Sequence, residues 1–174
     1  MTPNGPERGD RDLAVKPADR DGPAQPDGMG DGPLVVASTP LGVRHALAEM
    51  RTRHTPANGG DESLGMAETV LAEVLNNIVE HAYKRHPAGR IELHIDRLDR
   101  RLRIDVRDRG AQMPGGTLPL GTLPDIQDDP ETCPDDAPEG GFGWFLIRAM
   151  ARDIQYSREN GENRLTFWVP IGER

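Results

Sequence analysis

Residues 61–85 read DESLGMAETVLAEVLNNIVEHAYKR, and their periodicity decides the architecture. Leu64, Ala67, Val70, Leu71, Val74, Leu75, Ile78, Val79 and Ala82 recur three and four apart, which predicts a helix over 61–85 with one broad apolar stripe. A helix that long, apolar on one side, must be covered by another layer, so it is the central packing element.

Working outward, Leu34-Val35-Val36-Ala37 reads as a short strand, and Ser38-Thr39-Pro40 supplies a cap and a first helical proline. That helix runs to about His54, with Leu41, Val43, Ala46, Leu47 and Met50 at helical intervals, and Pro56 with Asn58-Gly59-Gly60 ends it. Downstream, Arg90–Arg97 alternates Ile91, Leu93 and Ile95 with Glu92, His94 and Asp96, and Arg101–Arg107 repeats the pattern with Leu102, Ile104 and Val106. The two form a hairpin turning at Leu98-Asp99-Arg100, with one wet face. A third helix is expected over Gly143–Arg152, followed by strands Ile154–Arg158 and Arg164–Pro170 around the turn Glu159-Asn160-Gly161. The order predicts an α+β fold, a two-layer sandwich.

Composition sets the limits of that domain. The 174 residues carry 20 Gly and 16 Pro against 35% apolar and 4% aromatic residues, so part of the chain packs nothing. Residues 1–33, with six Pro and six Gly, read as a disordered acidic tail, leaving 34–174 as the folded unit. From Gly110 to Ile147 there are seven acids (Asp125, Asp128, Asp129, Glu131, Asp135, Asp136, Glu139) and no Lys or Arg. A connection of that length is a functional lid or a disordered segment, here about 111–139. A net charge of −8 argues against nucleic acid and anionic membrane as direct partners. The single cysteine, Cys133, and the lack of an apolar leader or spanning run fit a reducing cytoplasm.

Three short patterns carry chemistry. Glu73 and Asn77, at i and i+4, share a helix face, with Asn76 and Glu80 beside them and His81 one turn on. There a carboxylate can take a proton, and a carboxamide oxygen can bind a hard cation such as Mg²⁺. Asp108-Arg109-Gly110 ends a strand, where an ionised Asp can accept from an exocyclic amine and Gly110 lets a ligand ring approach the backbone. Gly140-Gly141-Phe142-Gly143 opens a helix and exposes backbone N–H groups suited to phosphate. Taken singly, a solvated face, a turn and a glycine-rich helix start explain each pattern as well.

Their order and spacing resemble those of the GHKL superfamily of histidine-kinase-like ATPases, and within it the anti-sigma-factor serine/threonine kinases of bacterial partner-switching systems. The likeness covers about 34–171. The run 73–83 resembles the N box, Asp108-Arg109-Gly110 the first glycine box, residues 140–148 the second, and Asn163-Arg164-Leu165-Thr166 the last strand. The resemblance implies a Bergerat-type ATP-binding fold: a mixed, mostly antiparallel sheet covered on one face by about three helices, with a long ATP lid. It implies Glu73 as general base, Asn77 as Mg²⁺ ligand, Asp108 as adenine reader, and Gly141 and Gly143 as phosphate donors. His81, Gly110 and Thr166 complete the cofactor-binding set, His81 in a supporting role and Thr166 as the candidate for a family Thr that the sequence does not clearly match. Gln112 stands where the family often has a second glycine.

The activity implied is ATP- and Mg²⁺-dependent phosphorylation of a STAS-domain antagonist, with capture of a sigma factor or other client. A homodimer is a family-level expectation. Two alternatives stand beside it: an ATP-binding interaction module without chemistry, and a histidine-kinase fragment with His45 as acceptor. Against the last, no acidic residue follows His45 directly, and one short helix does not make a two-helix stem.

Overall fold

The computed structural model describes residues 32–55, 64–121 and 142–171. Strands β1 (Leu34–Ala37), β2 (Arg90–Leu98), β3 (Arg101–Asp108), β4 (Arg152–Glu159) and β5 (Glu162–Pro170) form one sheet in the order β1-β2-β3-β5-β4. Every neighbouring pair is antiparallel, so the expected mixed character is absent among the described strands. Helices α1 (Pro40–His54), α2 (Gly65–Asn77) and α3 (Phe142–Met150) cover one face, giving the two-layer α+β sandwich. Among the described residues no helix is long and apolar enough to cross a membrane.

The apolar periods explain the layers. Ala67, Val70, Leu71, Val74 and Leu75 of α2 are buried against Ile91, Leu93, Leu102, Ile104, Val106, Leu165, Phe167 and Val169 from the sheet. Leu71 and Leu75 are fully enclosed, each contributing about 1.5–3 kcal/mol by removal from water. Thr39 caps α1, its hydroxyl accepting from the Gly42 N–H at 3.0 Å, and Pro40 occupies the first turn.

The long helix departs from its expected course. After Asn77 it widens into a π-helical turn, Ile78–Ala82, where the Tyr83 N–H donates to the Ile78 carbonyl five residues back (3.0 Å). It then stops short of Arg85: Lys84 and Arg85 adopt φ of 50° and 61°, and the Arg85 N–H closes onto the Val79 carbonyl. Pro87 and Ala88 then form a turn before β2, closed by the Gly89 N–H donating to the His86 carbonyl (3.4 Å). β4 begins earlier than the alternation suggests, because Asp153 (φ 52°) sits in a bulge that lets Arg152 still pair with Trp168, and β5 begins earlier because the tight turn pairs Glu159 with Glu162. Accordingly α3 ends at Met150 rather than Arg152.

The other sheet face is charged. Asp105, only 7% exposed, accepts from Arg164 (2.5 and 2.9 Å) and Arg107 (3.2 and 3.4 Å). Burial alone would raise its carboxyl, but the two guanidinium partners hold it below the usual carboxylate value. Beside it the Arg101 guanidinium lies 4.3 Å from the Trp168 ring centre.

Candidate functional site

Asp108 ends β3 directly opposite Asn163 on β5, on the helix-covered face, and both are buried. Asp108 Oδ1 accepts from the Gly110 N–H (2.7 Å) and from Asn163 Nδ2 (2.9 Å). Burial pushes this carboxyl above the ordinary carboxylate value, while those two donors and the Arg158 charge pull it back. The corner is tied to the helical layer: the Ala111 N–H donates to the Ala82 carbonyl at the end of the π turn (2.8 Å). The Tyr83 hydroxyl accepts from the Arg109 N–H and donates to the Arg90 carbonyl, both at 2.9 Å.

Gly110 is demanded by this packing. A Cβ there would stand 2.7 Å from the Ala82 carbonyl oxygen and 2.8 Å from its Cβ. The close approach is thus to the helix backbone, whatever the neighbouring ligand. Gly110→Ala is expected to cost about 1–3 kcal/mol of stability by forcing the π turn away, read as a lower urea midpoint; an unchanged midpoint would show that the turn yields freely.

The chain after this corner is held from the closing strands. Asn163 Nδ2 also donates to the Ala111 carbonyl (3.1 Å), Arg158 donates to the Gly110 carbonyl (3.1 Å), and the Met113 N–H donates to the Tyr156 hydroxyl (3.2 Å). Further along, Arg148 of α3 donates to the carbonyls of Pro119 (2.7 Å) and Leu118 (3.3 Å). Residues 111–121 of the expected lid are therefore bonded to the domain, and 122–139 lie outside the described residues.

On α2, Glu73 and Asn77 face the start of α3. A Cβ on Gly143 would stand 2.5 Å from Glu73 Oε2 and 3.6 Å from Asn77 Nδ2, so the missing side chain is what admits the carboxylate. Asn77 Nδ2 donates to the Glu73 carbonyl (2.8 Å), which turns the amide so that Oδ1 remains for a ligand. Among the described residues the Glu73 carboxylate has no hydrogen-bonding or ionic partner. Glu73 lies nine positions before Ala82 on the same helical run, and Ala82 packs against Gly110, so this run joins the two groups of residues.

The structure thus brings Glu73, Asn77 and Gly143 together at one end of this line, and Asp108 and Gly110 at the other. His81 is exposed on the π turn and makes no side-chain bond among the described residues. Gly141 lies outside them, as do tail residues 1–31. Thr166 is not at the site: it pairs with Asp105, three positions along from the Asp108 and Asn163 pair, and so faces the charged side of the sheet. The inward polar residue of β5 is Asn163. Its signal is its phase, for Asn163, Leu165, Phe167 and Val169 alternate on the buried face.

The residues fit a Mg²⁺-bound nucleotide better than a free-standing ion. One carboxamide oxygen suits a cation that arrives with phosphate ligands and water, and no group of three or more His, Cys, Asp or Glu converges among the described residues.

The description of the histidine kinase-like ATPase domain matches residues 36–168. The chain is similar to the serine-protein kinase RsbW of Oceanobacillus iheyensis, 28% identical over 100 residues that make up 58% of this chain and 61% of that protein. It is also similar to the serine-protein kinase RsbW of Bacillus mycoides, 35% identical over 120 residues, 68% of this chain and 70% of that one. A solved structure of the RsbU and RsbW domains of Rv1364c from Mycobacterium tuberculosis overlays with a TM-score of 0.49 at 15% identity, over 83% of this chain and 34% of that chain.

Proposed function

This chain belongs to the histidine kinase-like ATPase family, and from that premise we propose that it is an ATP- and Mg²⁺-dependent protein serine/threonine kinase and anti-sigma factor. Its substrate in this reading is a Ser or Thr of a STAS-domain antagonist, and its client is a sigma factor or another protein, both in the cytoplasm. The observation that carries the proposal is the placement of an unpartnered Glu73 beside Asn77 and the side-chain-free Gly143, on the helix whose far end packs against Gly110 next to the buried Asp108.

Each residue then has one task. Asp108 accepts from the exocyclic amine of the base, and the corner held by Gly110 and Ala82 walls that end. The N–H groups opening α3, including that of Gly143, face phosphate with the favourable end of the helix dipole. Asn77 Oδ1 holds the cation, whose charge offsets that of the phosphates when it is bound. Glu73 takes the proton of the acceptor hydroxyl and orients its oxygen for in-line attack. A phosphate added to the antagonist, about −1.5 to −2 in charge, disfavours its interface and frees it. A homodimer is part of the reading; β1 is a sheet edge, and Val35 and Leu41 beside it are exposed.

Incubation of the full chain with labelled ATP, Mg²⁺ and a STAS-domain protein encoded beside it is expected to label a Ser or Thr of that protein. Intact nucleotide affinity with no transferred label would replace the kinase by a binding module.

A further inference from the structure

We propose that Asn163 is a positioning residue of the base site: it fixes which oxygen of Asp108 faces the ligand, and with Tyr156 and Arg158 it makes the β4–β5 hairpin the back wall of that site. The inference rests on the adenine-nucleotide reading of the same site. A carboxamide offers two donors and two acceptor lone pairs, and Asn163 spends all four inside the protein. Its Nδ2 donates to Asp108 Oδ1 (2.9 Å) and to the Ala111 carbonyl (3.1 Å), and its Oδ1 accepts from the Tyr156 hydroxyl (2.8 Å) and from Arg158 (2.5 Å). Nothing is left over for a ligand, so Asn163 acts through Asp108.

The effect on Asp108 is asymmetric. Oδ1 is engaged by Gly110 and Asn163, whereas Oδ2 has no partner among the described residues and is the oxygen left for a base amine. Tyr156 and Arg158 extend the hold to Met113 and Gly110, so the first turn after the site is a fixed wall. A threonine at this place has one donor and could not hold both Asp108 and Ala111.

The same contacts make ligand affinity depend on pH. Around the carboxyl stand Arg158 and Tyr156 on β4, Glu162 on β5 and Arg109 following β3, with the apolar Ile91 opposite on β2. The helical layer brings Ala82 against Gly110, Tyr83 to Arg109, and Glu80 and His81 exposed on the π turn. An N–H donor to the ionised carboxylate favours that form, so removing Asn163 moves the titration upward.

The test follows the Asp108 carboxyl by carbon-13 NMR in nucleotide-free protein and ADP affinity by calorimetry, across pH. Asn163→Ala is expected to bind ADP about ten- to a hundredfold more weakly at neutral pH, with its carboxyl midpoint and its affinity loss both displaced to higher pH. Asn163→Thr, keeping one donor to Asp108, should fall between, and Tyr156→Phe, keeping both donors, should shift least. A folded Asn163→Ala that titrates and binds as the unsubstituted chain does would overturn the inference, and so would Tyr156→Phe shifting as far as Asn163→Ala. Should the unsubstituted chain bind no ADP, the functional reading fails, while the carboxyl titration still decides the role of Asn163.

Discussion

Glu73→Ala is expected to lose about 10²–10⁴-fold in phosphotransfer turnover while its affinity for ATP stays that of the unsubstituted chain. The carboxylate has no partner to abandon among the described residues, and alanine is the better helix former, so α2 should persist. What disappears is the group facing Gly143 that would take the hydroxyl proton. Single-turnover kinetics alongside calorimetry separate the two quantities. Undiminished turnover would remove Glu73 from the chemistry, and a parallel loss of affinity would make it a binding residue instead.

Asp108→Asn should do the reverse, weakening adenine nucleotide binding by about a hundredfold or more. The Gly110 and Asn163 N–H groups both aim at the Oδ1 position, so the new amide must put its oxygen there and its NH₂ toward the base. Donor then meets donor. The fold itself should stand, by the sign of the linkage. Burial raises the folded-state pKa of Asp108, so its stability contribution is greatest at acid pH and declines as pH rises through that value. A neutral amide keeps both hydrogen bonds and avoids that cost. Unaltered calorimetric affinity in a folded variant would exclude Asp108 from base recognition.

The layers were legible because alternation and helical spacing are long-range patterns that several residues state together. Ile91, Leu93, Leu102, Ile104 and Val106 fix the buried face of the hairpin, and the register in which Leu98 pairs with Arg101 follows from the short turn between them. The π turn was not legible, since Ile78, Val79 and Ala82 satisfy a period of 3.6 over five residues as well as a wider one. Its cause is tertiary, in the bonds that Ala82 and Tyr83 make to the strand ends.

The site divides in the same way. Glu73, Asn77, Asp108 and Gly143 sit on regular elements at spacings a motif can record. Thr166 has the residue type that the resemblance implies but the wrong phase on its own strand, whose alternation puts Asn163 inward instead. Gly110 offers a different lesson: a glycine suited to ligand approach is required by a helix backbone that follows it closely from across the fold.

The π turn places an extra residue within the helix, and its exit is set by that count. Were these same residues to revert to ordinary α winding with none removed, all that follows would swing by about 100°. The Tyr83 phenol would then point away from both main-chain groups it joins. This stretch thus tolerates the loss of one residue, which an α turn absorbs in phase, better than the loss of its wide winding at unchanged length, and a one-residue deletion tests whether the helical and sheet layers stay in gear.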